Sequence, residues 1–291
     1  MMTVQQFIAK LRKYEIQIRK AVNGDLRGNF KSVFKGTGLE FNDLREYQYG
    51  DDVRTIDWNV SSKGHGTFVK LFKEERDQTV FFVLDVSASQ QVGSAERSKL
   101  DTGKEICGVL ALSAIQQASQ VGLLCFSDQK EKYIRPASGM KQGYEIVNGL
   151  YKLAPVSAKT DLSRGVIYTL EILKKRSVVI LISDFIDTGY EHNLTALARK
   201  HDLVILHLHD LFETDLPRLG IIPVFDTESN QTMWMNTSSS VFRNRIKERF
   251  EQKKEQLAQF CKQNRVNYLP LNAREDYVPE LIRLFKVKRK R

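Results

Sequence analysis

Cysteine is scarce in this sequence: there are three, Cys107, Cys125 and Cys261, far apart and with no Cys-x-x-Cys pair. That spacing argues against a zinc knuckle and against a disulfide framework. Long apolar stretches are missing as well. The longest runs, Thr79 to Leu84, Val178 to Ile182 and Leu203 to Leu206, fall far short of a bilayer span. Charges are scattered from Lys10 to Lys20, so no apolar signal core follows the first residues. The expectation is a soluble, cytoplasmic chain. Internal repeats and low-complexity segments are absent. Phosphate loops are absent too: neither Gly36-Thr-Gly38 nor Gly64-His-Gly66 lies between a strand and a helix start carrying Lys-Ser/Thr.

What is present suits a full-sized core. The 291 residues are 42% hydrophobic, enough for one large domain or a domain with an appendage. The net charge of +10 is uneven. Val241 to Arg291 holds fifteen Lys/Arg and six Asp/Glu, a net +9, and the rest is nearly neutral. Such an end is a solvated helix face with a ragged basic tail, or it attracts an acidic partner, nucleic acid or an anionic surface by peripheral contact.

The pattern along the chain divides near residue 77. Phe7, Ile8, Leu11, Tyr14 and Ile18 predict a helix over residues 4–20, broken by Asn23-Gly24 and Arg27-Gly28. Residues 30–75 are rich in glycine, aromatics and charge, and predict short strands and turns. From Thr79 onward, apolar strands alternate with helices. Strands are expected at 79–84, 121–126, 132–135, 177–183, 202–209 and 266–271. Helices are expected at 99–118, 140–153, 162–174, 191–200, 239–264 and 277–286. A hairpin is expected around Asp226 to Gln231. Continuous apolar strands separated by helices mean an α/β domain: a doubly wound, mostly parallel sheet covered on both faces. The expected organisation is an N-terminal helix and short-strand segment (1–76) packing on the core, an α/β domain (77–287) and a basic tail (288–291).

Ligands of open α/β sheets bind outside the carboxyl ends of the strands. Asp85 lies at that end of the first apolar strand, with Ser87 and Ser89 in the loop after it. Asp184 lies at the same end of the strand 177–183. Thr160-Asp161 stands before a helix, where Thr160 could cap it. If the strands are neighbours, Asp85, Ser87, Ser89, Thr160 and Asp184 share one crevice. Two carboxylates and three hydroxyls are hard oxygen donors; they suit Mg2+ (or Mn2+) and not zinc. The competing reading is a capping loop, since Asp and Ser favour turns and helix starts.

The strand Val80 to Leu84 with Asp85-Val-Ser-Ala-Ser89, then Lys159-Thr160-Asp161-Leu162 and Ile182-Ser183-Asp184-Phe185, resembles the von Willebrand factor A-like (Rossmann-like) fold with its metal-ion-dependent adhesion site. Upstream, Gly38-Leu-Glu-Phe-Asn-Asp-Leu-Arg-Glu-Tyr47, Gly50-Asp-Asp-Val-Arg-Thr-Ile-Asp-Trp58 and Val69 to Arg76 resemble the signature of the bacterial domain-of-unknown-function family fifty-eight. The resemblance covers roughly residues 30–240. It implies that Ser87, Ser89 and Thr160 coordinate a metal directly, with Asp85 and Asp184 acting mostly through waters. It also implies a non-enzymatic, metal-dependent protein-binding module, working with a MoxR-type AAA+ ATPase as a chaperone-like pair on an unknown client. Many such relatives carry membrane helices; no segment of this sequence predicts one.

The signature segment has two readings. Asp43, Arg45, Asp51, Asp52, Arg54 and Asp57 alternate in sign among Tyr47, Tyr49 and Trp58. They form a salt-bridged lid, or Arg45, Asp52, Arg54, Asp57 and Trp58 contact the ATPase, the arginines clamping carboxylates. His207 and His209, at i and i+2 of a strand, share a face but lack an evident third metal ligand. The rival function is a haloacid dehalogenase-like phosphatase with Asp85 as nucleophile and the Asp184/Asp187 pair. That chemistry needs an acid two residues on, and Ser87 stands there. A nucleic-acid binder through the basic end is the third class, without a recognisable module.

Overall fold

The computed structural model describes residues 3–23, 39–62, 66–74, 78–94, 97–117, 119–210, 213, 217–226 and 231–286. The expected breaks at Gly24 and Gly28, the domain start near Asp77 and the tail 288–291 lie outside them. In chain order the elements are α1 (Val4–Asn23), β1 (Leu39–Glu46), a 3-10 turn (Val53–Thr55), α2 (Trp58–Ser61), β2 (Phe68–Glu74) and β3 (Thr79–Asp85). A second 3-10 turn (Ala88–Gln91) precedes α3 (Lys99–Gln116), β4 (Gln120–Phe126), β5 (Lys130–Ala137), α4 (Met140–Tyr151), α5 (Leu162–Ile172) and β6 (Val178–Ser183). Then come α6 (Glu191–Lys200), β7 (Asp202–His209), β8 (Ile221–Asp226), β9 (Gln231–Asn236), α7 (Ser240–Gln263), β10 (Asn267–Asn272) and α8 (Val278–Lys286).

Six strands form the central sheet in the order β10-β7-β6-β3-β4-β5. All neighbours pair in parallel except β5, which turns back antiparallel on β4 at one edge. This is the expected doubly wound, mostly parallel sheet of the von Willebrand factor A-like architecture. Its central strands are continuous apolar runs because both faces are covered. Along β3, Val80, Phe82 and Leu84 enter one core with residues of α1, α3, α4 and α8. The intervening Phe81 and Val83 enter a second core with residues of α5, α6 and α7.

Three smaller features frame this core. Phe7, Leu11 and Ile18 of α1 are buried in the first core, so the N-terminal helix is part of the folded body. β1 and β2 pair antiparallel with a bulge between Phe41 and Asp43, which fits the short strands expected of the signature segment. β8 and β9 form the expected hairpin, a separate two-stranded sheet. Its register puts Ile221, Pro223, Phe225 and Trp234 on one face, and all four are exposed.

α3 starts with a capping box: Ser98 Oγ accepts from Asp101 N, and the Asp101 side chain accepts from Ser98 N. That cap fixes where the helix begins. It also sets Lys99 at the first helical position, pointing into the protein with no exposed surface.

Candidate metal centre

β3 and β6 are parallel neighbours, with Leu84 opposite Ile182. The chain leaving β3 runs through α3 to β4 on one side of the pair. The chain leaving β6 runs through α6 to β7 on the other. The two loops therefore diverge, and the crevice between them is the place where such sheets bind ligands. Asp85 ends β3 and Asp184 follows β6, so both carboxylates stand at this crevice.

Asp85 is 1% exposed. Its Oδ1 accepts from Ser87 Oγ at 2.7 Å and Ser87 N at 3.0 Å. Its Oδ2 accepts from Ser183 Oγ at 2.7 Å and Gln90 Nε2 at 3.3 Å. The Ser87 and Ser89 hydroxyl oxygens lie 3.1 Å apart. Among the described residues no cation pairs with Asp85. Burial, and next the charge of Asp184, raise its pKa to about 6 against the hydrogen bonds from Ser87 and Ser183. The Asp85 carboxylate is thus served by hydrogen-bond donors alone.

Asp184 has a cation. Its Oδ2 accepts from Lys99 Nζ at 2.7 Å, and the same ammonium also pairs with Glu213. Burial acts to lower the Lys99 pKa, but the Asp184 and Glu213 carboxylates outweigh it and the net shift is upward. The resemblance gave Asp184 a role through waters; here one of its oxygens is held by a side chain of the protein itself.

The loop before α5 reaches the same crevice. Ala88 N donates to Ala158 O at 3.0 Å, and Asp161 N donates to Ser127 O at 3.3 Å. Thr160 is held between these two anchored positions. It does not cap α5, as its place in the sequence suggested. Asp161 is the N-cap, its Oδ1 accepting from Arg164 N at 2.8 Å. Asp161 occupies the N-cap position itself, directly before Leu162, and Thr160 stays one residue outside it in the loop. Asp187 closes the arrangement by accepting from Leu162 N at 2.8 Å and Thr188 N at 2.7 Å.

Hard oxygens from Asp85, Ser87, Ser89 and Asp184 thus gather at one crevice, with Thr160 in the adjoining loop. That donor chemistry and the uncompensated Asp85 carboxylate fit a divalent cation such as Mg2+ or Mn2+. Among the described residues no group of three or more His, Cys, Asp or Glu is placed to hold a metal, so an ion here would depend on the hydroxyls. His207 is engaged elsewhere. Its Nδ1 lies 2.7 Å from Tyr268 Oη and its Nε2 lies 3.1 Å from Asp184 O. Burial, then His209, lower its pKa to about 4.

Most of the signature charges are used locally. Arg45 Nη2 pairs with Asp51 Oδ1 at 2.6 Å. Asp52 caps the first 3-10 turn by accepting from Arg54 N at 3.0 Å. Asp57 caps α2, accepting from Asn59 N at 3.0 Å and Val60 N at 3.3 Å, and it pairs with Lys70. Arg54 and Trp58 remain on the outside, Trp58 at 67% exposure, beside the exposed Tyr49 and Val53 in sequence. Among the described residues no hydrogen bond or ion pair joins this segment to the crevice.

Sequence reasoning missed four residues of the site: Gln90, Lys99, Ser183 and Glu213. Ser183 stood in the quoted Ile182-Ser183-Asp184 run without a role. Lys99 gave a single hint, a cation in the first turn of a helix, where the helix dipole disfavours it. Glu213 gave none.

Comparison with known proteins agrees on the family. Residues 43–256 match the family described as "Protein of unknown function DUF58". Uncharacterized proteins of Mycobacterium bovis and Mycobacterium tuberculosis are 25% identical over 224 residues, 76% of this chain and 71% of theirs. Among solved structures, an aerotolerance-related membrane protein from Bacteroides fragilis is similar at 12% identity and a TM-score of 0.49, covering 72% of this chain and 96% of its own. The conserved hypothetical protein BatB from Bacteroides thetaiotaomicron is similar at 14% identity and a TM-score of 0.43, covering 72% and 100%. No helix among the described residues is long and apolar enough to cross a membrane. With its signature segment, its Asp-x-Ser-x-Ser loop and its doubly wound sheet, the chain belongs to the DUF58 family.

Proposed function

We propose that the crevice at the ends of β3 and β6 is a divalent-metal site through which the chain grips another protein, without catalysis of its own. Ser87, Ser89 and Thr160 would hold the ion directly, and Asp85 and Asp184 largely through waters. Most of these ligands are neutral, so a bound Mg2+ would supply an electrophilic position open to a partner's carboxylate. One observation carries the reading: the paired Ser87 and Ser89 hydroxyls stand over a buried, fully hydrogen-bonded Asp85 beside Asp184.

The phosphatase alternative is weaker on the same geometry. Ser87 donates to the carboxylate that would have to attack, and a serine hydroxyl cannot act as the general acid. Asp187, the second acid of that scheme, is occupied in accepting from Leu162 N at the start of α5.

The partner we propose is a MoxR-type AAA+ ATPase, acting with this chain in the chaperone-like maturation of a client. The family resemblance supports that choice, and the exposed Arg54 and Trp58 offer a contact for it. The test is a pulldown of the ATPase with purified chain, in magnesium and in chelator. Capture is expected in magnesium only, and is expected to weaken in Asp85→Ala and Thr160→Ala. A complex unchanged by both substitutions would leave the crevice without this role.

A further inference from the structure

Lys99 is a fully buried lysine whose ammonium bridges two carboxylates, Asp184 at 2.7 Å and Glu213. Ionised groups are rarely taken this far from water unless they neutralise something. Here the charge to be neutralised belongs to the metal crevice. Asp85 and Asp184 stand at the ends of adjacent strands, and hydrogen-bond donors alone serve Asp85.

Glu213 is itself placed. Its Oε2 accepts from Asp210 N at 2.9 Å, and its own N–H donates to Asp210 O at 3.0 Å. Asp210 follows β7, the strand next to β6, and is buried. Glu213 therefore offers the ammonium a second acceptor, held beyond β7, the strand that flanks β6 on the side opposite β3.

We propose that Lys99 is a built-in counter-ion of the crevice: it neutralises Asp184 when no metal is bound, and withdraws toward Glu213 when a divalent cation takes that carboxylate. The inference rests on the metal-site reading. Lys99 is a positioning residue in this scheme. It lets the crevice stay folded without metal, and it keeps the metal weakly held, because an ion must displace or tolerate a resident positive charge. Weak, reversible loading would make a partner's carboxylate a necessary part of tight binding.

The two ends of the bridge give opposite expectations, which a merely structural ion pair does not. In Lys99→Met the like charge is gone, and the chain should bind Mn2+ about tenfold more tightly or better. In Glu213→Gln the ammonium loses its alternative acceptor and rests fully on Asp184, so Mn2+ should bind more weakly than in the unmodified chain. The measurement is Mn2+ titration of the metal-free full chain by calorimetry and by the electron paramagnetic resonance signal of free Mn2+, with no partner present. Thermal unfolding in chelator and in Mn2+ gives a second readout. Lys99→Met should be the less stable form in chelator and should gain more from Mn2+.

Equal Mn2+ affinity in the unmodified chain and both variants overturns the counter-ion role and leaves the metal site standing. No Mn2+ binding by any of the three, at millimolar metal, overturns the metal site and this inference together. Should Lys99→Met fail to fold, Glu213→Gln keeps the Lys99–Asp184 pair and decides the question alone: unchanged or tighter binding there sinks the proposal.

Discussion

Gly165 lies in α5 against the ring of Phe126, and a Cβ built on it would come within 2.5 Å of the ring carbons. Both are core positions that cannot move far, because Phe126 ends β4 and α5 is anchored by its Asp161 cap. Gly165→Ala is therefore expected to destabilise the chain by about 1–3 kcal/mol through overpacking. Urea unfolding would show it as a lower midpoint at unchanged slope. Asp57→Ala removes two cap hydrogen bonds and the Lys70 pair, and is expected to lower the midpoint in the same measurement by less than Gly165→Ala does. At this scale the sequence was legible where chemistry sits in a short window. Asp85, Ser87 and Ser89 fall within five residues, after a strand whose burial is obvious. Lys99 and Glu213 were not legible, because their meaning comes from a contact between residues 114 positions apart.

α1 shows the same lesson in a longer segment. Its apolar spacing announced an amphipathic helix, but nothing in residues 4–20 says which surface that face covers. It packs on α3, where a Cβ at Gly108 would meet Leu11 Cδ1 at 2.6 Å. Leu11 has no exposed surface, and Leu11→Ala is expected to lower stability by about 2–5 kcal/mol. The parallel strands could be read individually because each is apolar throughout. Their order could not, since pairing β6 rather than β4 alone with β3 is a long-range choice made by packing. The turn from α6 into β7 carries a pH dependence. His201 is buried there, its Nδ1 accepting from Ser177 N at 3.3 Å. Burial, then the Lys200 charge, lower its pKa from 6.5 to about 4. The native state holds the ring neutral, so its contribution is intact above pH 6.5 and is lost as pH falls toward 4. The loss is expected to reach roughly 1–3 kcal/mol, and His201→Asn should flatten that limb of a melting-temperature profile.

In the molecule as a whole, one sheet separates two cores, and every central strand contributes alternate side chains to both. Neither core can melt while the sheet stays intact, so a single cooperative transition is expected for them, with far-ultraviolet dichroism and the burial of Cys107 and Cys261 lost together. The chain's two tryptophans stand apart from this body: Trp58 is 67% and Trp234 71% exposed. Indole emission from the native protein should accordingly lie near that of the free amino acid in water and change little in urea. The same placement gives the protein two natural optical probes, one on the signature segment and one on the β8–β9 hairpin. A docked partner that covers either should shift its light to the blue. Trp58→Phe and Trp234→Phe, read one at a time, would then report which of the two surfaces has been covered.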